Sequence, residues 1–215
     1  MIADRPRAHL AARYLEAVNP RLKGSPHAQL AAMIDDGEAV ILEVCAGTGF
    51  LSRLVATRFP HARVCALDLS AEPIAEGRRR AQGLRNLEFV HADATRIPHA
   101  DGTFHVALAA FGLSELTPTA RAECLGEIRR VLAKHGRLLV ADIADADDPA
   151  RYARLFHAYR SLSHRSLSRG RRSPEVLEGR LSRQIQRSGF AVVRHVRGQG
   201  RMLPFQLVVA VKDAA

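Results

Sequence analysis

Tryptophan is absent from this sequence, and aromatic residues of all kinds make up only 5% of it. That scarcity argues against a platform for stacking unpaired bases, which needs exposed rings along a basic groove. Cysteine is sparse as well: Cys45, Cys65 and Cys124 form an odd, scattered set. Such a set excludes a disulfide framework, its spacing fits no metal site, and it points to a reducing compartment. Each cysteine lies in an apolar run and is expected to be a buried thiol. No apolar run approaches the length of a membrane span. Met1 to Leu10 carries Asp4, Arg5 and Arg7 and no apolar stretch, so it does not read as a secretory signal. These absences lead us to expect a cytoplasmic protein without a membrane span. Internal repeats and low-complexity linkers are absent too.

What is present is ordinary globular material, 47% apolar and 25% charged over 215 residues. That length is consistent with a single domain spanning 1–215. The formal net charge is +10, and lysine appears only at Lys23, Lys134 and Lys212, so arginine carries the basicity. The excess has two readings, an anionic partner or an arginine-biased composition; net charge bears on association and not on fold.

Hydrophobic periodicity divides the chain. Residues 6–18 and 26–35 read as helices, each opened by a proline, with Ser25 capping the second. Ala39 to Val44 is a continuous apolar run, as a strand buried on both faces requires. Helices and strands then alternate. Phe50 to Phe59 has helical spacing, Arg63 to Leu67 is a strand, and Ala71 to Ala81 is a helix. Leu87 to Val90 and Phe104 to Ala110 are strands. Thr117-Pro118 opens a helix that Gly136 is expected to end, and Arg137 to Ile143 follows as a strand. Strands alternating with helices give an α/β chain with a parallel sheet covered on both sides. After Ala144 the rhythm breaks. A helix is expected from Pro149 to about Leu162, an Arg/Ser-rich stretch runs to Arg172, and Ser173-Pro174 opens a helix ended by Gly189. Phe190 to Val196 and Phe205 to Val211 are close enough to pair as an antiparallel hairpin, so the sheet is expected to end in antiparallel strands.

The segment with chemical content is Leu42-Glu43-Val44-Cys45-Ala46-Gly47-Thr48-Gly49, set between a strand and a helix. Glycines there let the backbone approach a ligand, and the following helix presents free N–H groups. Alone, that turn also suits a dinucleotide enzyme. Three carboxylates tilt the balance. Asp68 ends the second strand, where it can accept both hydroxyls of a ribose. Asp93 ends the third, where it can accept from an adenine amine. Glu43 lies in the first loop, where it can hold an ammonium group. Such a set lines one crevice at the carboxyl edge of the sheet and suits a ligand with an amine, a ribose and an adenine but no phosphates. Each residue also has a structural reading: Glu43 and Asp68 as helix caps, Asp93 as a turn residue.

With Ala66-Leu67-Asp68-Leu69-Ser70, Ala92-Asp93-Ala94, Ile97-Pro98, the stretch from Phe104 to Leu116 and Glu127 to Leu132, these motifs make residues 38–143 resemble the class I S-adenosylmethionine methyltransferases. The resemblance is closest to the branch containing the ubiquinone and menaquinone biosynthesis C-methyltransferases. It implies a Rossmann-like doubly wound sheet of about seven strands, mostly parallel with an antiparallel last strand, and S-adenosylmethionine as cofactor. It implies that Gly47 and Gly49 bracket the methionine part, that Asp68 binds the ribose, that Asp93 and the Ala94 amide read the adenine, and that Ala109-Ala110-Phe111 lies beside the reacting methyl. Glu43, Ala46, Thr48 and Leu69 complete the implied cofactor contacts. The chain departs from the pattern at Cys45, which stands for a glycine, at His105, and at Ser114-Glu115.

Methyl transfer needs alignment more than a dedicated base. Glu115, His157, Tyr159 and His164 are the candidate catalytic groups, each with a packing role as the alternative. Residues 1–36 are expected as N-terminal helices and 149–172 as a cap after the fifth strand. Residues 151–187 hold ten arginines against Glu175 and Glu178, which reads either as recruitment of an anionic acceptor or as a solvated face. The expected partner is a small-molecule methyl acceptor. The rival expectations are a nucleic-acid methyltransferase, drawn by the basic surface, and a cofactor-binding subunit without activity.

Overall fold

Val40–Val44 forms strand β1, and every residue after the first is buried. The structure is a computed structural model and describes residues 25–144, 180–199 and 204–212. Around β1 the chain lays down helix α1 (Pro26–Ala32), α2 (Phe50–Arg58), β2 (Arg63–Asp68), α3 (Ala71–Arg80), β3 (Leu87–His91) and β4 (Phe104–Ala110). A short 3-10 turn (Leu113–Glu115), α4 (Pro118–Val131) and β5 (Leu132–Ile143) follow, then α5 (Arg180–Arg187), β6 (Phe190–Gln199) and β7 (Pro204–Lys212). The sheet has seven strands in the order β3-β2-β1-β4-β5-β7-β6.

Strands β1 to β5 pair in parallel. β7 is antiparallel to both of its neighbours, β5 and β6, which leaves β6 running with the parallel set at the edge. The hairpin expected at the end of the chain is therefore present, but only β7 is reversed. Strand order turns around at β1 and β4, and the crevice outside the carboxyl ends of strands at such a point is where α/β sheets bind ligands.

Alternation along the strands explains why their central residues are apolar on both faces of the sheet. Leu42, Ala107, Leu138 and Val140 enter one core with Leu125 and Ile128 of α4 and Leu181 of α5. Ile41, Val106, Leu108 and Leu139 enter the other with Leu30 of α1 and Leu51 and Val55 of α2. Side chains of period two on a doubly covered sheet have no solvent face. The helix starts follow local chemistry. Ser25 accepts from the Ala28 amide before Pro26, and Thr117 accepts from the Ala120 amide before Pro118, each satisfying an otherwise unpaired donor.

One boundary differs from expectation. Helix α4 ends at Val131, not at Gly136: Leu132 is already extended and pairs with Phe104. The chain then bulges before Val106 pairs with Arg137, and His135 takes the left-handed conformation at φ 61°. Gly136 is needed for close approach instead, because a Cβ there would sit 2.9 Å from the Ala133 carbonyl oxygen and 3.2 Å from that of His105. Helix α1 also stops at Ala32, short of the expected residue 35. The helices expected over 6–18 and 149–162, the opening at Ser173-Pro174 and the 149–172 cap lie outside the described residues. Among the described residues, no helix is long and apolar enough to cross a membrane.

Two glycines make room for Phe89 of β3. A Cβ at Gly49 would lie 2.5 Å from the Phe89 ring; one at Gly77 of α3 would lie 2.3 Å from it and 2.7 Å from the Thr48 carbonyl oxygen. Gly126 of α4 meets nothing within 4 Å. Gly77→Ala is therefore expected to destabilise the fold by about 1–3 kcal/mol through overpacking, whereas Gly126→Ala stabilises it by about 0.5–1 kcal/mol through helix propensity. Urea unfolding of the two variants checks this. Midpoints moving in the same direction would contradict the close approach at Gly77.

Candidate functional site

The turn from β1 to α2 is wound left-handed at three places: Cys45 (φ 54°), Gly47 (φ 55°) and Gly49 (φ 66°). Glycine takes that conformation freely, but cysteine does so at a cost. Hydrogen bonds fix the path. The Ala46 amide donates to the Leu67 carbonyl at 3.0 Å, and the Gly49 amide to the Ala46 carbonyl at 2.8 Å. Asp68, at the end of β2, holds the loop from the side. Its Oδ2 accepts from the Gly47 amide at 2.7 Å and its Oδ1 from the Ser70 amide at 2.8 Å. Above Gly47 the space is open: a Cβ would meet nothing within 4 Å. Thr48 is half-buried there, while Ala46 and Gly49 are buried in the turn. Cys45 is half-buried, not buried as expected, because the left-handed turn lifts it out of the strand's alternation.

Glu43 faces the helix. It is 3% exposed, and its Oε2 accepts from the Ser52 amide at 2.8 Å and from the Ser52 hydroxyl. The carboxylate thus satisfies a first-turn donor of α2 that the left-handed Gly49 at the N-cap cannot reach. Burial pushes its pKa up to about 7, against the pull of the Ser52 hydrogen bonds.

Beyond Asp68, the Leu69 side chain is 64% exposed. Its carbonyl oxygen lies 2.8 Å from Nε2 of His91. The Ala92 amide donates to the Asp68 carbonyl at 3.0 Å, which brings the loop after β3 alongside. Asp93 in that loop is exposed, and its Oδ1 accepts from the amide and hydroxyl of Thr95. Ala94 is buried beneath it. An exposed apolar side chain therefore stands beside Asp68, where the loops after β2 and β3 come together.

On the other side of β1, Ala109 is fully buried inside the sheet, and Ala110 and Phe111 are half-buried at its rim. Phe111 is left-handed at φ 59°, and its amide donates to the Ala141 carbonyl at 2.8 Å. A Cβ at Gly112 would fall 2.3 Å from the Cys45 Cβ, so the loops after β1 and β4 touch. Of the three left-handed non-glycine residues among the described residues, Cys45 and Phe111 thus flank this crevice. Backbone strain held in this way is a mark of functional loops.

Three residues here were not singled out from the sequence. Arg121 of α4 is fully buried. It donates to the carbonyls of Leu113 and Leu116, at 2.7 and 2.9 Å, and to Gln184 Oε1 at 2.8 Å, pinning the turn that holds Ser114 and Glu115. Asp142, also fully buried, accepts from the Ser114 amide at 3.0 Å. A lone acid ending the apolar run of β5 is the same signal that Asp68 gives at the end of β2. His27 of α1 has its ring centroid 5.3 Å from that of Phe50 and 5.5 Å from that of Phe111; no motif marks it. Glu115 is half-buried in the 3-10 turn. His157, Tyr159 and His164 lie outside the described residues.

Residues 41–136 match the methyltransferase domain family. Over 113 residues the chain is 35% identical to the ubiquinone/menaquinone biosynthesis C-methyltransferase of Roseobacter denitrificans; the match covers 51% of this chain and 44% of that relative. The chain therefore spans less than half the length of that curated relative. Among solved structures, a SAM-dependent methyltransferase from Aquifex aeolicus superimposes with a TM-score of 0.66 at 19% identity, covering 96% of this chain and 98% of that one. The [4+2]-cyclase SpnF superimposes with a TM-score of 0.71 at 18% identity, over 91% and 85% of the two chains. These structural likenesses establish the fold.

The buried Glu43 gives a pH signature. The folded protein holds this proton up to about pH 7, whereas the unfolded chain releases it near the ordinary 4.5. Between those values the folded state binds more protons, so this contribution to stability is lost as pH rises. Glu43→Gln removes the effect. Relative to wild type, the variant is expected to gain about 2–3 kcal/mol between pH 5 and pH 8, read by urea unfolding at both values. An offset independent of pH would mean that Glu43 ionises alike in both states.

Proposed function

We propose that this chain, whose residues 41–136 match the methyltransferase domain family, transfers the methyl group of S-adenosylmethionine to a small-molecule acceptor of the quinone-related kind for which its curated relatives are named. The observation that carries the proposal is the exposed Leu69 next to Asp68, with the loop that carries Asp93 alongside. An adenine ring covers apolar surface of that kind, and the two carboxylates serve the ribose hydroxyls and the exocyclic amine. Each oxygen of Asp68 spends a hydrogen bond on a backbone amide, yet a carboxylate oxygen has a second lone pair to offer a ribose. The open face of Gly47 leaves room for the methionine part. The negative charge of Asp68 and Asp93 is also hostile to a pyrophosphate, which supports a nucleoside over a dinucleotide.

S-adenosylmethionine held there supplies an electrophilic methyl carbon on its sulfonium. The residues of this chain do the rest by orientation. Gly47 and Gly49 admit the close approach. Phe111, fixed by its bond to Ala141, walls the crevice beside β4, and the turn pinned by Arg121 and Asp142 backs that wall. Alignment and exclusion of water account for much of the rate in such a displacement. Glu43 supports this arrangement by holding the first turn of α2.

Calorimetry with S-adenosylmethionine, its demethylated product and NAD tests the proposal; the first two are expected to bind and NAD is not. Asp68→Ala is expected to weaken cofactor binding by about 1–3 kcal/mol, the scale of a charge-assisted hydrogen bond. Leu69→Ser is expected to weaken it about fivefold through lost apolar contact while leaving the unfolding midpoint in place, since this side chain is already in water. Unchanged affinity in both variants would overturn the nucleoside site. Cofactor binding without turnover of any quinol would favour a binding subunit or a reaction of another type.

A further inference from the structure

We propose that His27 is an acceptor-binding residue, whose buried Nδ1 takes the hydroxyl of an uncharged aromatic acceptor lying against Phe50 and Phe111. The inference rests on the methyl-transfer reading above and names the group that would recognise the molecule to be methylated.

Position comes first. Helix α1 precedes the sheet, and His27 on it touches the first residue of α2 and the turn after β4. Phe50 is the first residue of α2, directly after Gly49; Phe111 directly follows β4. The imidazole stands edge-on to Phe50, with an interplanar angle of 88°, and is tilted 49° to Phe111. Three rings from three elements thus meet where the first and fourth strands end. Phe111 is held there in a left-handed backbone conformation that a bulky residue adopts only at a cost.

Chemistry comes second. Nδ1 of His27 is buried and has no hydrogen-bond partner among the described residues. A buried polar atom left unpaired is expensive, and native structures rarely keep one without a use. Packing alone would be served by phenylalanine or leucine. Burial also lowers the pKa of the ring to about 4, so at neutral pH it is uncharged and exerts no pull on an anion. A neutral imidazole offers one donor and one acceptor nitrogen, and a hydroxyl can complement either one. The flanking phenyl rings suit a flat, apolar body. The whole corner therefore fits a phenol or quinol better than a carboxylate or a phosphate.

The test uses the full chain saturated with S-adenosylhomocysteine, with 1-naphthol as probe and 1-methylnaphthalene as its apolar counterpart, both followed by naphthalene fluorescence. His27→Phe is expected to weaken 1-naphthol about tenfold, the loss of one buried hydrogen bond, and to leave 1-methylnaphthalene and S-adenosylhomocysteine unchanged. His27→Gln, which keeps a polar group in place, is expected to retain part of the 1-naphthol affinity and guards against a folding defect in the first variant. Equal losses for the two naphthalenes, or none, would overturn the role of His27. So would a wild-type protein that binds S-adenosylhomocysteine but not 1-naphthol. Failure to bind S-adenosylhomocysteine at all would instead bring down the methyl-transfer reading beneath it.

Discussion

The carboxylate of Asp68 ties the turn after β1 to the turn after β2, with one oxygen on the Gly47 amide and the other on the Ser70 amide. The crevice takes its shape from that junction. Without it, a loop that passes through the left-handed region three times in five residues would be left with the bond from the Ala46 amide to the Leu67 carbonyl as its tie to the neighbouring strand. Charge-assisted hydrogen bonds to backbone amides are among the stronger local ties, and these join two loops rather than ordering one. The third loop follows from the second, because the Asp68 carbonyl accepts from Ala92. The same residue that would meet a ribose is thus the keystone of the surface that would receive it.

Close approach does the complementary work. On the β4 side of β1, Gly112 lets the loop after β4 lie on Cys45; on the β2 side, Gly49 and Gly77 let Phe89 of β3 lie under the first turn of α2. Arg121 and Asp142 then hold the turn after β4 from beneath. Burying an arginine is costly unless its donors are met; here they reach two carbonyls and a glutamine, and the expense fixes a segment that would otherwise be irregular. Two loops held by such different means bound one opening, which suits a site that must accept one molecule on each side of the transferred group.

Much of this was legible in the sequence. Strands β1, β2, β4 and β5 announce themselves because a doubly covered parallel strand is apolar through its centre. The end of β2 announces itself because Asp68 interrupts that run where the chain leaves the core, and Asp93 does the same just after β3. Glu43 shows the limit of the same logic. An acid beside a glycine turn is compatible with a ligand or with a helix cap, and only the 2.8 Å contact to Ser52 reveals that the cap is made. Gly136 relieves a close approach beside a bulge, and such a glycine looks the same in one dimension as a glycine that ends a helix. His27 and Asp142 act through partners far away in the chain, and Arg121 joins nearby carbonyls to the distant Gln184; a lone histidine or arginine on an amphipathic helix carries no periodic signal of such a role. The 3-10 turn at Leu113–Glu115 depends on Arg121 and Asp142, which its own sequence does not show.

The central claim is that the three loops of this crevice form a nucleoside site organised by Asp68. A crystal structure of the protein with S-adenosylhomocysteine tests it most directly. The account predicts ribose hydroxyls within hydrogen-bonding distance of the Asp68 carboxylate and adenine lying over Leu69 with its amine toward Asp93. A ligand seated elsewhere, or one that leaves Asp68 and Leu69 untouched, would contradict it.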